Sequence, residues 1–163
     1  MEYQKFENGE SQDSKNFIIE ETPKTFVMDA SVCIKWFSSI KEEYAEKAIE
    51  LRKDYYEKKV YLLAPDLLLY EVTNALSYNP RFSSENVKAA ISSLNSMQIK
   101  FVKPIAQVLD LAIDIRFLKN ISIYDAVYIA LSRYIDMQFI TADQKLYDRI
   151  KDYGSVILLA DYS

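Results

Sequence analysis

Four carboxylates in this sequence stand where an apolar run gives way to an acid. They are Asp29 in FVMDASVCIKWF, Glu71 in LLLYEVTNAL, Asp125 in ISIYDAVYIALS and Asp143 in FITADQKLYD. Little else competes for chemistry. The chain has no histidine, one cysteine and two glycines. Without histidine there is no Ser-His-Asp or Cys-His nucleophile and no imidazole metal site. Gly9 and Gly154 are too few to write a P-loop or a G-x-G-x-x-G turn. What remains is carboxylate, hydroxyl, amide and cation.

Each acid alone has an ordinary structural explanation. Asp29 and Asp143 follow apolar runs and suit helix N-caps or turns. Asp125 stands three residues after Ser122, as in a capping box with Asp in place of Glu, and suits the first turn of a helix dipole. Glu71 lies near the apolar face of a helix, beside Leu68, Val72 and Ala75. Burying it there needs a cation as partner, since an unpaired carboxylate is expensive to desolvate. Asn74 lies three residues on and shares that face.

The elements that position these acids follow from hydrophobic pattern and breakers. Strands are expected at 26–30, 60–65, 99–104, 138–141 and 155–160. Helices are expected at 42–58, 66–78, 85–97, 106–118, 123–135 and 144–153, with Ser83 or Ser84 capping the third. Short apolar strands alternate with helices, and no hairpin turn joins two strands. This pattern predicts an α/β fold, a parallel sheet of about five strands with helices on both faces. Two of the acids then end parallel strands, and two lie on helices entering from the same end of the sheet. Sites in open α/β sheets form there, at a topological switch point. Clustered hard oxygen donors without imidazole or thiolate call for Mg²⁺ or Mn²⁺. Such an ion suits phosphoryl chemistry, polarising a phosphate and activating water.

The bulk properties set the frame. A chain of 163 residues that is 50% hydrophobic predicts one globular domain. Residues 1–22 read as a polar acidic arm, with NFII at 16–19 as a possible short strand, and 23–163 as the domain. The arm holds six acids and two lysines and so carries the whole net charge of −4. The domain is neutral overall, and an acidic total does not exclude a nucleic-acid partner. No apolar window is long enough for a membrane span. The N-terminus does not resemble a secretory signal. A soluble, cytoplasmic protein is expected, with Cys33 as a core thiol.

The four segments FVMDASVCIKWF, APDLLLYEVTNAL, SIYDAVYIALS and FITADQKLYD together resemble the signature segments of the PIN-domain family. The likeness is greatest to the small toxin ribonucleases of VapBC toxin–antitoxin systems. It covers residues 25 to about 161, with the segments in family order. The resemblance implies a three-layer α/β/α sandwich, Mg²⁺- or Mn²⁺-dependent cleavage of RNA, a protein antitoxin as partner, and a homodimer. Carried onto this sequence, it makes Asp29, Glu71, Asp125 and Asp143 the catalytic and metal-binding set. It matches Asn74 and Thr141 to supporting groups around that set. An RNA substrate would need cations beside the acids. Lys35 and Lys145 are the nearest in sequence, with Arg81 and Arg133 further off. A PIN nuclease of RNA processing or decay without an antitoxin, and a non-catalytic PIN-like binding module, are the alternatives.

Overall fold

A computed structural model of the chain describes residues 22–38 and 43–163. Its centre is β1 (Lys24–Met28), where Phe26, Val27 and Met28 are all buried. A strand buried on both faces has no reason to alternate polar with apolar, and this one does not. β2 (Val60–Pro65) flanks it on one side and β4 (Gln138–Thr141) on the other, both parallel to it. β3 (Lys100–Val102) and β5 (Val156–Leu158) form the edges, in the order β3-β2-β1-β4-β5. Edge position explains why their residues are mostly only half-buried.

The helices fill the crossovers between parallel strands. α1 (Ala30–Lys35) follows β1 directly, and α2 (Ala45–Tyr56) leads into β2. α3 (Leu67–Tyr78) buries Leu68, Val72 and Leu76, one face at four-residue spacing. It stops at Asn79, before Pro80, which cannot continue a helix. α4 (Ser84–Ser96) starts on a complete capping box between Ser83 and Asn86. α5 (Ala106–Lys119) ends where Asn120 turns left-handed at φ 50°. α6 (Ile123–Tyr134) is buried all round from Ala126 to Ser132 and lies against β1, β2 and β4. α7 (Gln144–Ile150) joins β4 to β5, and a short 3-10 turn, Leu159–Asp161, follows β5. The result is an α/β/α sandwich with a five-stranded parallel sheet, as expected.

Several details differ from expectation: the third and fifth strands are shorter, Lys100–Val102 and Val156–Leu158, and α2 spans Ala45–Tyr56 rather than 42–58. α1 was not foreseen, because six residues are too few to display a helical period. The first strand runs two residues earlier than expected, so Asp29 follows it and takes the N-cap position of α1. The last helix ends at Ile150 rather than 153. The expected arm and the NFII strand lie outside the described residues, except for Thr22, which is exposed. Cys33 is buried, and burial raises its thiol pKa, as a core cysteine requires. Among the described residues no helix is long and apolar enough to cross a membrane.

The strand order sets the location of the site. The chain runs from β1 through β2 to β3 at one edge, then returns through α5 and α6 to β4 on the other side of β1. The switch point therefore lies between β1 and β4, where Met28 pairs with Ile140.

Candidate active site

Asp29 sits at the carboxyl end of this switch point. Its backbone N–H donates to the Ile140 carbonyl at 3.0 Å, extending the ladder by one bond. Its side chain makes no cap bond to α1. Instead, its carboxylate oxygen Oδ2 accepts from two hydroxyls, Ser31 Oγ and, at 2.7 Å, Thr141 Oγ1. The simple cap explanation therefore fails at Asp29, because its carboxylate is held by hydroxyls rather than by the backbone N–H groups of α1.

Thr141, the last residue of β4, is fully buried. Its hydroxyl donates to Asp29 and accepts the Asp143 backbone N–H at 3.0 Å. One hydroxyl thus fixes both acids. Ser31 repeats the device, donating to Asp29 and accepting from the Ala142 N–H at 2.9 Å. Asp143 then caps α7, accepting from the Leu146 N–H at 3.0 Å. Asp125 is the third residue beyond the N-cap Ser122, whose hydroxyl accepts from the Asp125 N–H and donates to Oδ2. These two caps were legible in the sequence. A capping bond engages one oxygen and leaves the other for a further partner.

Glu71 is half-buried on α3. Its expected inward partner was a cation, but the structure supplies a phenol. Tyr128, on α6, donates its hydroxyl to Glu71 Oε2. Asn74 is exposed one turn further along α3.

The electrostatics tie the four acids together. Burial pushes the Asp29 carboxyl up to about 6, against the pull of Ser31 and Thr141 and with a further push from the charges of Asp125 and Asp143. Burial likewise raises Glu71, which Tyr128 lowers and which Asp29 and Asp125 raise again. Desolvation thus outweighs mutual repulsion at both buried acids. The Tyr128 hydroxyl is itself pushed far up, first by burial and then by Asp29 and Glu71, so it stays a donor.

A cavity of about 220 Å³ opens beside the cluster, lined by Asp125 and Asp143, and also by Lys145 and Arg149. Lys145 therefore stands where its place in the sequence suggested. Lys35 is half-buried at the end of α1 and does not line this cavity. Arg133 lies over the Tyr153 ring, 4.4 Å from its centroid, near the opposite end of α6 from Asp125. Arg81 lines a different cavity of about 550 Å³, with Phe37, Arg52 and Phe82. Sequence reasoning missed Ser31, Tyr128 and Arg149. The Asp-x-Ser spacing at a helix start was a signal for the first, since such serines often bond locally. The other two carried none.

The donor set is of the right kind for a hard divalent cation, carboxylate oxygens only. Among the described residues, however, no three of these acids stand close enough to enclose an ion as they are. Asp125 and Asp143 each hold a local bond at the start of α6 and α7. The residues fit in chemistry, with the buried Asp29 as the fixed member.

Comparison with known proteins agrees with this geometry. A family model for the PIN domain matches residues 26–152, and the chain belongs to the PIN-domain family, a family of nucleases. Among solved structures it resembles PAE2754 from Pyrobaculum aerophilum at 20% identity and TM-score 0.59, covering 85% of this chain and 92% of that one. It resembles VapBC2 from Rickettsia felis, solved with a DNA fragment from their promoter, at 12% identity and TM-score 0.62, covering 82% and 98%. A third, VapBC-5 from Mycobacterium tuberculosis, matches at 14% identity and TM-score 0.55, covering 83% and 98%. At these identities the likeness is one of fold. No curated protein sequence matches the chain.

Proposed function

We propose that this chain is a Mg²⁺- or Mn²⁺-dependent endoribonuclease and the toxin of a toxin–antitoxin pair. The observation that carries the catalytic reading is Asp29, a buried carboxylate at the sheet's switch point. Two hydroxyls hold it, and the charges of Asp125 and Asp143 act on it. Keeping such a group costs stability, and an ion would repay that cost. Asp29, Glu71, Asp125 and Asp143 would hold the ion, which supplies phosphate polarisation and an activated water when bound. The chain's own residues do the positioning. Thr141 and Ser31 fix Asp29, and Tyr128 turns Glu71. Asp125 and Asp143 line the cavity through which substrate enters. Asn74 stands at the rim beside Glu71.

The antitoxin partner is favoured by the fold likeness to VapBC structures, with cytoplasmic RNA as the target. A PIN nuclease working without an antitoxin is separated from this reading by gene neighbourhood: a small adjacent gene for a DNA-binding protein marks the toxin. The test of catalysis is incubation of purified protein with structured RNAs and Mg²⁺ or Mn²⁺, beside EDTA and Asp29→Asn controls. Metal-dependent cleavage lost in both controls is expected. Cleavage that persists in Asp29→Asn, or none under any metal, rejects the assignment.

A further inference from the structure

Lys145 and Arg149 stand four residues apart on α7, so they share one face with Cβ atoms about 6 Å apart. Both line the cavity of about 220 Å³ that Asp125 and Asp143 also line. Other lysines near acids in this protein close into ion pairs, such as Lys151 with Asp148 at 3.4 Å and Lys119 with Asp152 at 2.8 Å. Among the described residues Lys145 and Arg149 do not, although two acids share their cavity. Arg149 is instead anchored through its backbone surroundings. Its Nη1 donates to the Asn120 carbonyl at 2.7 Å, at the left-handed corner between α5 and α6. That single bond orients the guanidinium and leaves most of its five donors for another acceptor.

The cavity is therefore lined by charges of both signs, Asp125 and Asp143 with Lys145 and Arg149. A lone anion would be repelled by the acids, and a lone cation by the basic pair. A phosphodiester chain meets both conditions when an ion on the acid side receives one phosphate and the cations receive the next. Arginine suits the second contact because its planar fork matches phosphate oxygens in pairs.

We propose that Lys145 and Arg149 bind the backbone phosphate adjacent to the scissile one. The site would then take an internal stretch of RNA strand, with chain on both sides of the cut. This rests on the nuclease reading for the identity of the scissile phosphate, but the contact itself is measurable without metal or cleavage.

The experiment uses the full chain in EDTA and a fluorescein-labelled ten-nucleotide single-stranded RNA, with anisotropy followed over a salt series. Each phosphate contact contributes about 0.7 to the slope of log affinity against log salt for a single strand. Lys145→Gln and Arg149→Gln should each flatten the slope, and the double variant, which loses the one phosphate contact, by about 0.7 in all. Arg116→Gln, on α5 beside Phe117, should leave it unchanged. Melting temperatures check that the fold is kept. In Mn²⁺, an RNA with one neutral methylphosphonate linkage next to the cleaved bond, on one side or the other, should lose rate in wild type and lose little in the double variant. An unchanged slope in the double variant, an equal change in Arg116→Gln, or no binding by wild type overturns the proposal. The two readings fail separately. Flattened slopes without any Mn²⁺-dependent cleavage sink the nuclease and keep the phosphate contact, whereas normal cleavage with unchanged slopes does the reverse.

Discussion

The hydroxyl of Tyr128 meets the carboxylate of Glu71 across 57 residues of sequence, joining α6 to α3 over the end of the sheet. Tyr128 is fully buried, so its hydroxyl has no water to fall back on. Removing it as Tyr128→Phe leaves Glu71 half-buried without its donor, at a cost of about 1–3 kcal/mol. The expected outcome is a lower urea midpoint and weaker Mn²⁺ stabilisation in that variant. Glu71→Gln should keep the hydrogen bond and most of the metal-free stability while losing the Mn²⁺ response. Equal Mn²⁺ responses in wild type and both variants would detach this pair from the metal.

Thr141 is expected to be intolerant of losing its hydroxyl. Thr141→Val keeps the shape but leaves the Asp143 N–H unpaired and Asp29 one donor short, for about 2 kcal/mol of lost stability. Thr141→Ser restores the hydroxyl and should recover most of this and most of the cleavage rate. If Val and Ser behave alike in urea melts and in RNA cleavage, the hydroxyl bridge has no role.

Acid–base behaviour follows from the raised Asp29 carboxyl. Between its ordinary value of 3.8 and about 6, the folded protein holds a proton that the unfolded chain has released. Metal-free stability from this group is thus greatest below the lower value and falls as pH rises through the interval. The full loss is on the order of 3 kcal/mol. Asp29→Asn lacks this penalty. In EDTA the variant should gain on wild type from pH 4 to pH 7. A difference that is flat with pH, or runs the other way, contradicts the burial of this carboxylate.

Divalent metal should reverse that order. Mn²⁺ binding only to the folded site raises the melting temperature in step with concentration, by RT ln(1 + [L]/Kd). Asp→Asn at 29, 125 or 143 removes a charged ligand and should abolish the rise. At 143 the metal-free stability should barely change, because Asn caps a helix about as well as Asp, and at 125 an Asn oxygen still accepts the Ser122 hydroxyl. A pure capping role predicts an unaltered Mn²⁺ response in those two variants, which a thermal melt distinguishes directly.

Self-association is expected through α5. Ile105, Leu109 and Ile113 recur every fourth residue and remain exposed, with Phe117 one turn on at 75% exposure. A contiguous apolar stripe of this kind marks an interaction surface. Tyr70 and Tyr78 on α3 are exposed as well. Light scattering of wild type and Phe117→Glu should give a dimer and a monomer. A wild-type monomer at tens of micromolar ends the idea.

The limits of sequence reading follow from the kinds of contact involved. β2 and β4 were legible to the residue because the apolar runs give way to Pro65 in one case and to Asp143 soon after Thr141 in the other. The four acids were conspicuous as candidates, because charge beside an apolar run is costly. What holds them was less so. Tyr128 lies in a helix buried on all sides and reads as one more core aromatic. Ser31 reads as a small turn residue, and Arg149 as one of many surface cations. Their meaning is a matter of distance across the fold, which spacing along the chain does not encode. Glu71's partner was sought among cations for the same reason.

The strand order also has a consequence for how the enzyme is made. β1 comes first in the chain yet lies at the centre of the sheet, and its neighbour β4 is the fourth strand. The bond from Thr141 to Asp29 spans 112 residues. During translation, which proceeds at about 5–20 residues per second, Asp29 emerges seconds before the strand that completes its surroundings. The nascent polypeptide thus carries the acids without their geometry while still tethered to the ribosome and its messenger RNA. Only the last fifth of the chain brings Thr141 and Asp143 to Asp29, so under the proposed function the template is read to its end before the four acids share one site.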